Sequence, residues 1–244
     1  MLSNYRFWVT RPSPAGDLLC DAIREEGGEA IHFPTIEIHP IKTNLSAINL
    51  EDYLIFISPQ AVYHSVNQLP RLTSHIKIIA MGKGTSEALE KAGIPVFLYP
   101  TEDSSSEGLL SLSCFHNIQG KKIGLIKGEG GRELLSPELV SRGAIVTPFI
   151  VYKRSLPKKN AVPHLSSNDI ILCTSCDILR NLMLLMKSQE DVIKTLPLIV
   201  ISDRIKALAT TLGFKKIMLA ADANIETIKE IAGKIYVREN EKKR

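Results

Sequence analysis

The 244-residue chain has only four cysteines, too few for a disulfide framework in a protein this long. A reducing compartment, the cytoplasm, is the expectation. Long apolar runs are also missing. No stretch approaches a membrane span, and the N-terminal segment is interrupted by Arg6 and followed by no small-residue cleavage site, so neither a membrane nor a signal peptide is expected. Aromatic residues are scarce at 6%, and the net charge of +4 is small and scattered. With no RNA- or DNA-binding signature, a nucleic-acid partner is not expected, though mild basicity suits an acidic ligand. Nucleotide motifs are lacking: Gly82-x-Gly84-x-x-Glu87 has no third glycine of a dinucleotide fingerprint, and there is no P-loop lysine pattern. The six histidines are dispersed with no pair at ligand spacing, and His32, His39 and His64 read as surface or edge residues. Cys173 and Cys176 have the spacing of a redox pair, but Cys173 falls inside an apolar strand and no second pair exists for zinc. No metal and no cofactor are therefore expected. The tail from Arg238 to Arg244 mixes charge signs and reads as a frayed terminus.

What is present is a regular alternation of short apolar strands and amphipathic helices, within an ordinary composition of 44% hydrophobic and 23% charged residues. Tyr5–Thr10 reads as a strand, followed by a helix from Pro14 or Ala15 to Gly27-Gly28 and a strand at Ala30–Phe33. Thr35–Ile41 alternates with period two, as a half-exposed strand does. From Tyr53 to Leu112, strands are expected at Leu54–Ile57, Ile76–Met81 and Val96–Leu98, with helices between and after them. From Lys121 to Arg154 a strand at Ile123–Ile126 passes through Gly128, Gly130 and Gly131 into a helix starting near Arg132 and stopping at Gly143. The strand Ala144–Val146 follows. Strands at Ile170–Cys173, Leu198–Ile201 and Ile217–Leu219 alternate with helices, the last beginning at Asn224.

Residues 53–112 and 168–235 share one plan, and 5–34 shares another with 121–147. That is the signature of two similar domains, each a parallel α/β sheet flanked by helices. The repeat leaves the pairing open. Chain order gives 1–115 and 120–240. The alternative joins 5–34 to 168–235 and makes 42–148 an inserted domain, with the chain crossing near 36–41 and 149–154.

Ligands in such sheets bind at the carboxyl ends of the strands. The strand-to-helix turns there share small hydroxyls or glycines, mostly with a cation: Thr10 and Arg11; Ser58; Gly82, Lys83, Thr85 and Ser86; Lys127, Gly128 and Arg132; Ser175; Ser202 and Arg204. Backbone N–H groups, helix dipoles and cations together make anion sites. Singly these are also ordinary helix caps and turns. Six of them suit a ligand with many anionic groups.

GEGGRELL with the following helix, RGA and VYKR resembles the uroporphyrinogen-III synthase family. So do VTRPSPAGDLL, HFP, IFISPQAV, GKGTSEAL and SEGLL, in the family's order over nearly the whole chain. The resemblance implies the swapped arrangement: domain 1 from 1–36 and 155–244, domain 2 from 42–148, and 36–41 with 149–154 as a two-stranded antiparallel linker. It implies a cofactor-independent hydro-lyase of haem biosynthesis. The family's substrate, hydroxymethylbilane, is a linear tetrapyrrole with eight carboxylates; it loses water and closes with the last pyrrole ring inverted. It also implies that Tyr152 faces the cleft and assists loss of the hydroxyl, since a phenol of reference pKa about 10 is neutral at pH 7. A packed, amphipathic linker tyrosine is the structural alternative. The expected state is a cytoplasmic monomer, meeting hydroxymethylbilane synthase only transiently.

Two rival readings belong to other classes. A non-catalytic, hinged binding protein for a polyanionic metabolite would use the same turns without Tyr152. A phosphate-ester enzyme would need a metal or base constellation that the sequence lacks.

Overall fold

A computed structural model describes residues 2–103, 105–130, 134–158 and 162–241, the last with side chains to 235. In chain order the elements are β1 (Arg6–Val9), α1 (Ala15–Glu25), β2 (Glu29–His32), β3 (Glu37–Pro40), β4 (Tyr53–Phe56), α2 (Pro59–Ser65), β5 (Lys77–Ala80), α3 (Lys83–Lys91), α4 (Ser106–Leu110), β6 (Lys122–Gly128), α5 (Leu135–Ser141), β7 (Ile145–Ser155), β8 (Asp169–Cys173), α6 (Cys176–Leu185), α7 (Glu190–Ile193), β9 (Pro197–Val200), α8 (Asp203–Thr211), β10 (Lys216–Leu219) and α9 (Ile225–Glu241). They divide into two compact units, Met1–Glu37 with Ser155–Arg244, and Ile38–Arg154.

The first unit holds a sheet in the order β10-β9-β8-β1-β2, parallel throughout. Its strands are near-continuous apolar runs because helices cover both faces. Phe7, Val9, Ile23, Ile170, Leu172 and Ile228 pack on one face, while Trp8 meets Phe33 edge-on at 5.1 Å between centroids. The N-terminal strand is tied to the distant β8 by a fork. Arg6 Nε and Nη2 donate to the two oxygens of the fully buried Asp169 at 2.6 and 2.9 Å. Removing one partner of such a pair costs about 3–5 kcal/mol.

The second unit holds a sheet in the order β3-β7-β6-β4-β5, with β7-β6-β4-β5 parallel. Leu54, Phe56, Ala61, Leu89 and Tyr152 pack on one face; Ile55, Ile79, Phe115, Ile123 and Leu125 pack on the other. The two sheets share one plan: β8, β9, β1 and β2 in the first occupy the places of β4, β5, β6 and β7 in the second.

Four of the helices, α1, α3, α5 and α8, end alike: Gly27, Gly93, Gly143 and Gly213 follow them with φ between +73° and +89°, a conformation that side chains resist. Two expectations are corrected. Val96–Leu98 forms no strand and contributes a single bridge, Ile79 to Leu98, because loop residues flank it on both sides. The strand expected at Ala144–Val146 and the extended segment 149–154 are one continuous strand, β7, of 11 residues. The helix expected to start near Arg132 is described from Leu135, and Arg132 lies outside the described residues. Among the described residues no helix is long and apolar enough to cross a membrane.

Candidate active site

In both sheets the polar turns sit just beyond the carboxyl ends of the strands. In the first unit most of them serve the fold. Thr10 is fully buried, and its hydroxyl donates to the Leu172 carbonyl at 2.5 Å, clamping β1 to β8. Ser175 caps α6 by accepting from the Ile178 N–H at 3.2 Å, and Ser202 caps α8 by accepting from the Ile205 N–H at 3.4 Å. Arg204 is exposed and Arg11 half-buried. His32, read from sequence as a surface or edge residue, is half-buried at the end of β2. Its Nε2 is 3.1 Å from the Arg11 carbonyl and its Nδ1 2.9 Å from Asp17 Oδ1. The two contacts fix the ring between the Arg11 turn and α1. Gly16 makes room for this: a Cβ there would collide with His32 Nε2 and the Arg11 carbonyl.

Cys173 is 1% exposed, and burial pushes its thiol up to about 12. It therefore stays a thiol, donating to the Ser175 carbonyl at 3.4 Å. All four cysteines are free. Among the described residues no group of three or more His, Cys, Asp or Glu is placed to hold a metal ion.

The second unit differs. Tyr152 on β7 stands level with Gly128 at the end of β6, where the pairing register slips. Its phenol is 2% exposed and packs on the α2 face of the sheet. Three groups surround the ring and its oxygen. Arg154 Nη2 donates to the phenolic oxygen at 2.9 Å, with its guanidinium 5.4 Å from the ring centroid. Ser58 Oγ lies 3.1 Å from the same oxygen. The His64 ring is 5.8 Å away, its imidazole shifted down from the usual value by burial. His64 is thus half-buried beside the phenol and not an edge residue. Gly128 was read as a turn glycine for an anion; here it leaves space for the phenol, since a Cβ would sit 2.5 Å from Tyr152 Cζ and Cε2.

Ser58 also caps α2, accepting from the Ala61 N–H at 3.2 Å. On the opposite face of the same edge is a cavity of about 240 Å³, with Lys127 and the hydroxyls of Ser106 and Ser136 set among Ile57, Met81 and Leu125. Of the β5 turn, Thr85 and Ser86 are buried, and Ser86 donates to Glu90 at 3.0 Å. Gly82 heads α3 in an extended conformation. Lys83 is exposed, 4.0 Å from Glu87. Arg154 and His64 escaped the sequence reading. Arg154 had a signal, since residues i and i+2 of a strand share a face; His64 had none.

A parallel α/β unit with a twin of the same plan inserted in it defines a two-domain α/β class of protein. Residues 17–229 match the family model described as uroporphyrinogen-III synthase HemD. The chain is 32% identical over 240 residues to the uroporphyrinogen-III synthase of Escherichia coli K12, covering 90% of this chain and 96% of that one. It is 30% identical over 237 residues to that of Salmonella typhimurium LT2, with the same two shares. The uroporphyrinogen-III synthetase of Helicobacter pylori 26695 shares the fold at a TM-score of 0.61 and 16% identity, over 95% of this chain and 99% of that one. The chain belongs to the uroporphyrinogen-III synthase HemD family, whose activity lies in tetrapyrrole synthesis.

Proposed function

We propose that the chain is a cofactor-independent lyase that converts hydroxymethylbilane to uroporphyrinogen III. The observation that carries the chemistry is the Arg154–Tyr152–Ser58 contact set at the edge of the second unit. Tyr152 supplies the proton that leaves with the substrate's hydroxyl, while the pyrrole nitrogen pushes electrons toward the departing carbon. The azafulvene that results is attacked by the substituted carbon of the last ring. The spiro intermediate fragments and recloses inverted. Arg11, Lys83, Lys127, Arg132 and Arg204, with the N–H groups at the Ser58, Gly82, Ser175 and Ser202 turns, hold the carboxylates. Thr10, Thr85, Ser86 and Gly128 shape those turns. Much of the rate comes from holding the bilane folded, because well-oriented reacting groups gain effective molarities of about 10⁵–10⁸ M.

On this reading the protein works as a cytoplasmic monomer and receives its substrate from hydroxymethylbilane synthase in a transient encounter. The domains are 1–36 with 155–244 and 42–148, linked through 36–41 and 149–154. The fragment 38–154, which keeps all of β3 but its first residue and all of β7 but its last, should then fold cooperatively by itself, and its failure to do so would count against an inserted domain. The function is tested by incubation with hydroxymethylbilane and chromatography of the oxidised products. The type III isomer is expected. The type I isomer alone, at the rate seen without protein, would contradict the reading.

A further inference from the structure

Two contacts constrain which way hydrogens point around Tyr152. A guanidinium has only donors, so at the Arg154 contact the phenolic oxygen accepts. Tyr152 is 2% exposed, and among the described residues the acceptor within reach of its hydroxyl is Ser58 Oγ, 3.1 Å away. Ser58 Oγ also accepts from the Ala61 N–H. With two donors on its oxygen, the serine hydroxyl keeps its own hydrogen free, and Ser58 is half-buried where the phenol is closed off. We propose that Ser58 is the group that protonates the departing hydroxyl, that Tyr152 supplies the proton through it, and that Arg154 is a positioning residue that fixes the direction of the relay. This rests on the reading of Tyr152 as the acid.

The step balances. The carbon–oxygen bond of the hydroxymethyl group breaks with its electron pair on oxygen. That oxygen takes the Ser58 hydrogen and leaves as water, and Ser58 takes the phenol hydrogen. The phenolate so formed faces the Arg154 guanidinium. When the inverted ring regains aromaticity, the proton released from its carbon returns through Ser58 to the phenolate. No co-reactant is consumed.

The relay makes Ser58 and Tyr152 one unit, and residues that act as a unit are non-additive on deletion. The test is a cycle of Tyr152→Phe, Ser58→Gly and the double variant, with kcat and KM measured on hydroxymethylbilane. Glycine at an N-cap costs only a few tenths of a kcal/mol, so Ser58→Gly keeps the fold, as unchanged melting will verify. Each single variant should lose about 10²–10⁴-fold in kcat, and the double should be no worse than either. Ser58→Thr, which restores a hydroxyl, should recover activity to within about tenfold of the parent. Arg154→Met should lower kcat with KM little changed, and Arg154→Lys should recover part of the loss. If Ser58→Gly keeps its rate while Tyr152→Phe loses it, the relay is overturned but the phenol remains the acid. Full rate in both variants sinks the assignment of Tyr152 itself. Losses that multiply in the double variant show two independent roles, which also overturns the relay.

Discussion

The two sheets carry matching turns at matching places, yet spend them differently. At the edge of the first unit, Thr10, Ser175, Ser202 and His32 each bind backbone or a neighbouring helix, and the thiol of Cys173 is sealed in. At the edge of the second, the hydroxyls of Ser58 and Tyr152 bind each other and a guanidinium, beside a cavity holding a lysine. On the proposed reading, the edge of the second unit serves proton chemistry, while most polar turns of the first serve the fold. A turn's residue types therefore do not reveal its use; what its oxygens touch does.

The comparison breaks most readily at Gly128. Gly128→Ala puts a methyl 2.5 Å from the phenol ring carbons, against a buried side chain with little freedom to yield. Overpacking of this kind costs roughly 1–3 kcal/mol. Displacing the phenol should also cut kcat about as far as Tyr152→Phe, on the order of 10²–10⁴-fold. Steady-state kinetics and melting check both. Gly16 is its counterpart in the first unit. Gly16→Ala should cost a similar roughly 1–3 kcal/mol by dislodging His32 or the Arg11 carbonyl. It should raise KM through Arg11 while leaving kcat nearly alone. Equal kcat losses for the two alanines would erase the distinction between the units.

A smaller effect sits at the opposite, amino end of the second sheet. Glu51 is 4% exposed with Oε2 unpartnered, and burial pushes its carboxyl up, offset in part by the Thr147 hydroxyl and by Lys122, with Asp52 adding to the rise. The neutral acid is the form this fold favours. Its stabilising contribution is full below the ordinary carboxylate range near 4.3 and is lost as pH rises through the raised value. Glu51→Gln should thus stabilise the protein at pH 7 by about 1 kcal/mol and flatten stability between pH 4 and 7. Chemical denaturation across that range checks it. Kinetics should not move, since Glu51 lies far along β4 from Ser58.

The sheets were readable because buried parallel strands are runs such as Leu54-Ile-Phe56 and Leu198-Ile-Val200, punctuated by capped helices and terminal glycines. Val96–Leu98 does lie beside β5, but with only one bridge, and a short apolar run carries no record of how many pairs it makes. At the site, Ser58 and Tyr152 were found from turn position and family motif, but their 3.1 Å contact spans 94 residues of sequence and leaves no local trace. Thr10, Thr85 and Ser86 looked like ligand groups because a serine or threonine that seals a turn is spelled the same as one that binds an anion.

The claim that the second unit holds the proton chemistry, while Arg11 and Arg204 of the first only hold carboxylates, can be put to one measurement. It is the separate kcat and KM of Tyr152→Phe and of the double variant Arg11→Ala/Arg204→Ala, on hydroxymethylbilane at fixed ionic strength. The account predicts that Tyr152→Phe loses about 10²–10⁴-fold in kcat with KM within about threefold of the parent. It predicts that the double variant raises KM about tenfold, more steeply with added salt, and keeps kcat within about threefold. A collapse of kcat in the arginine variant, with Tyr152→Phe turning over at the parent rate, would contradict it.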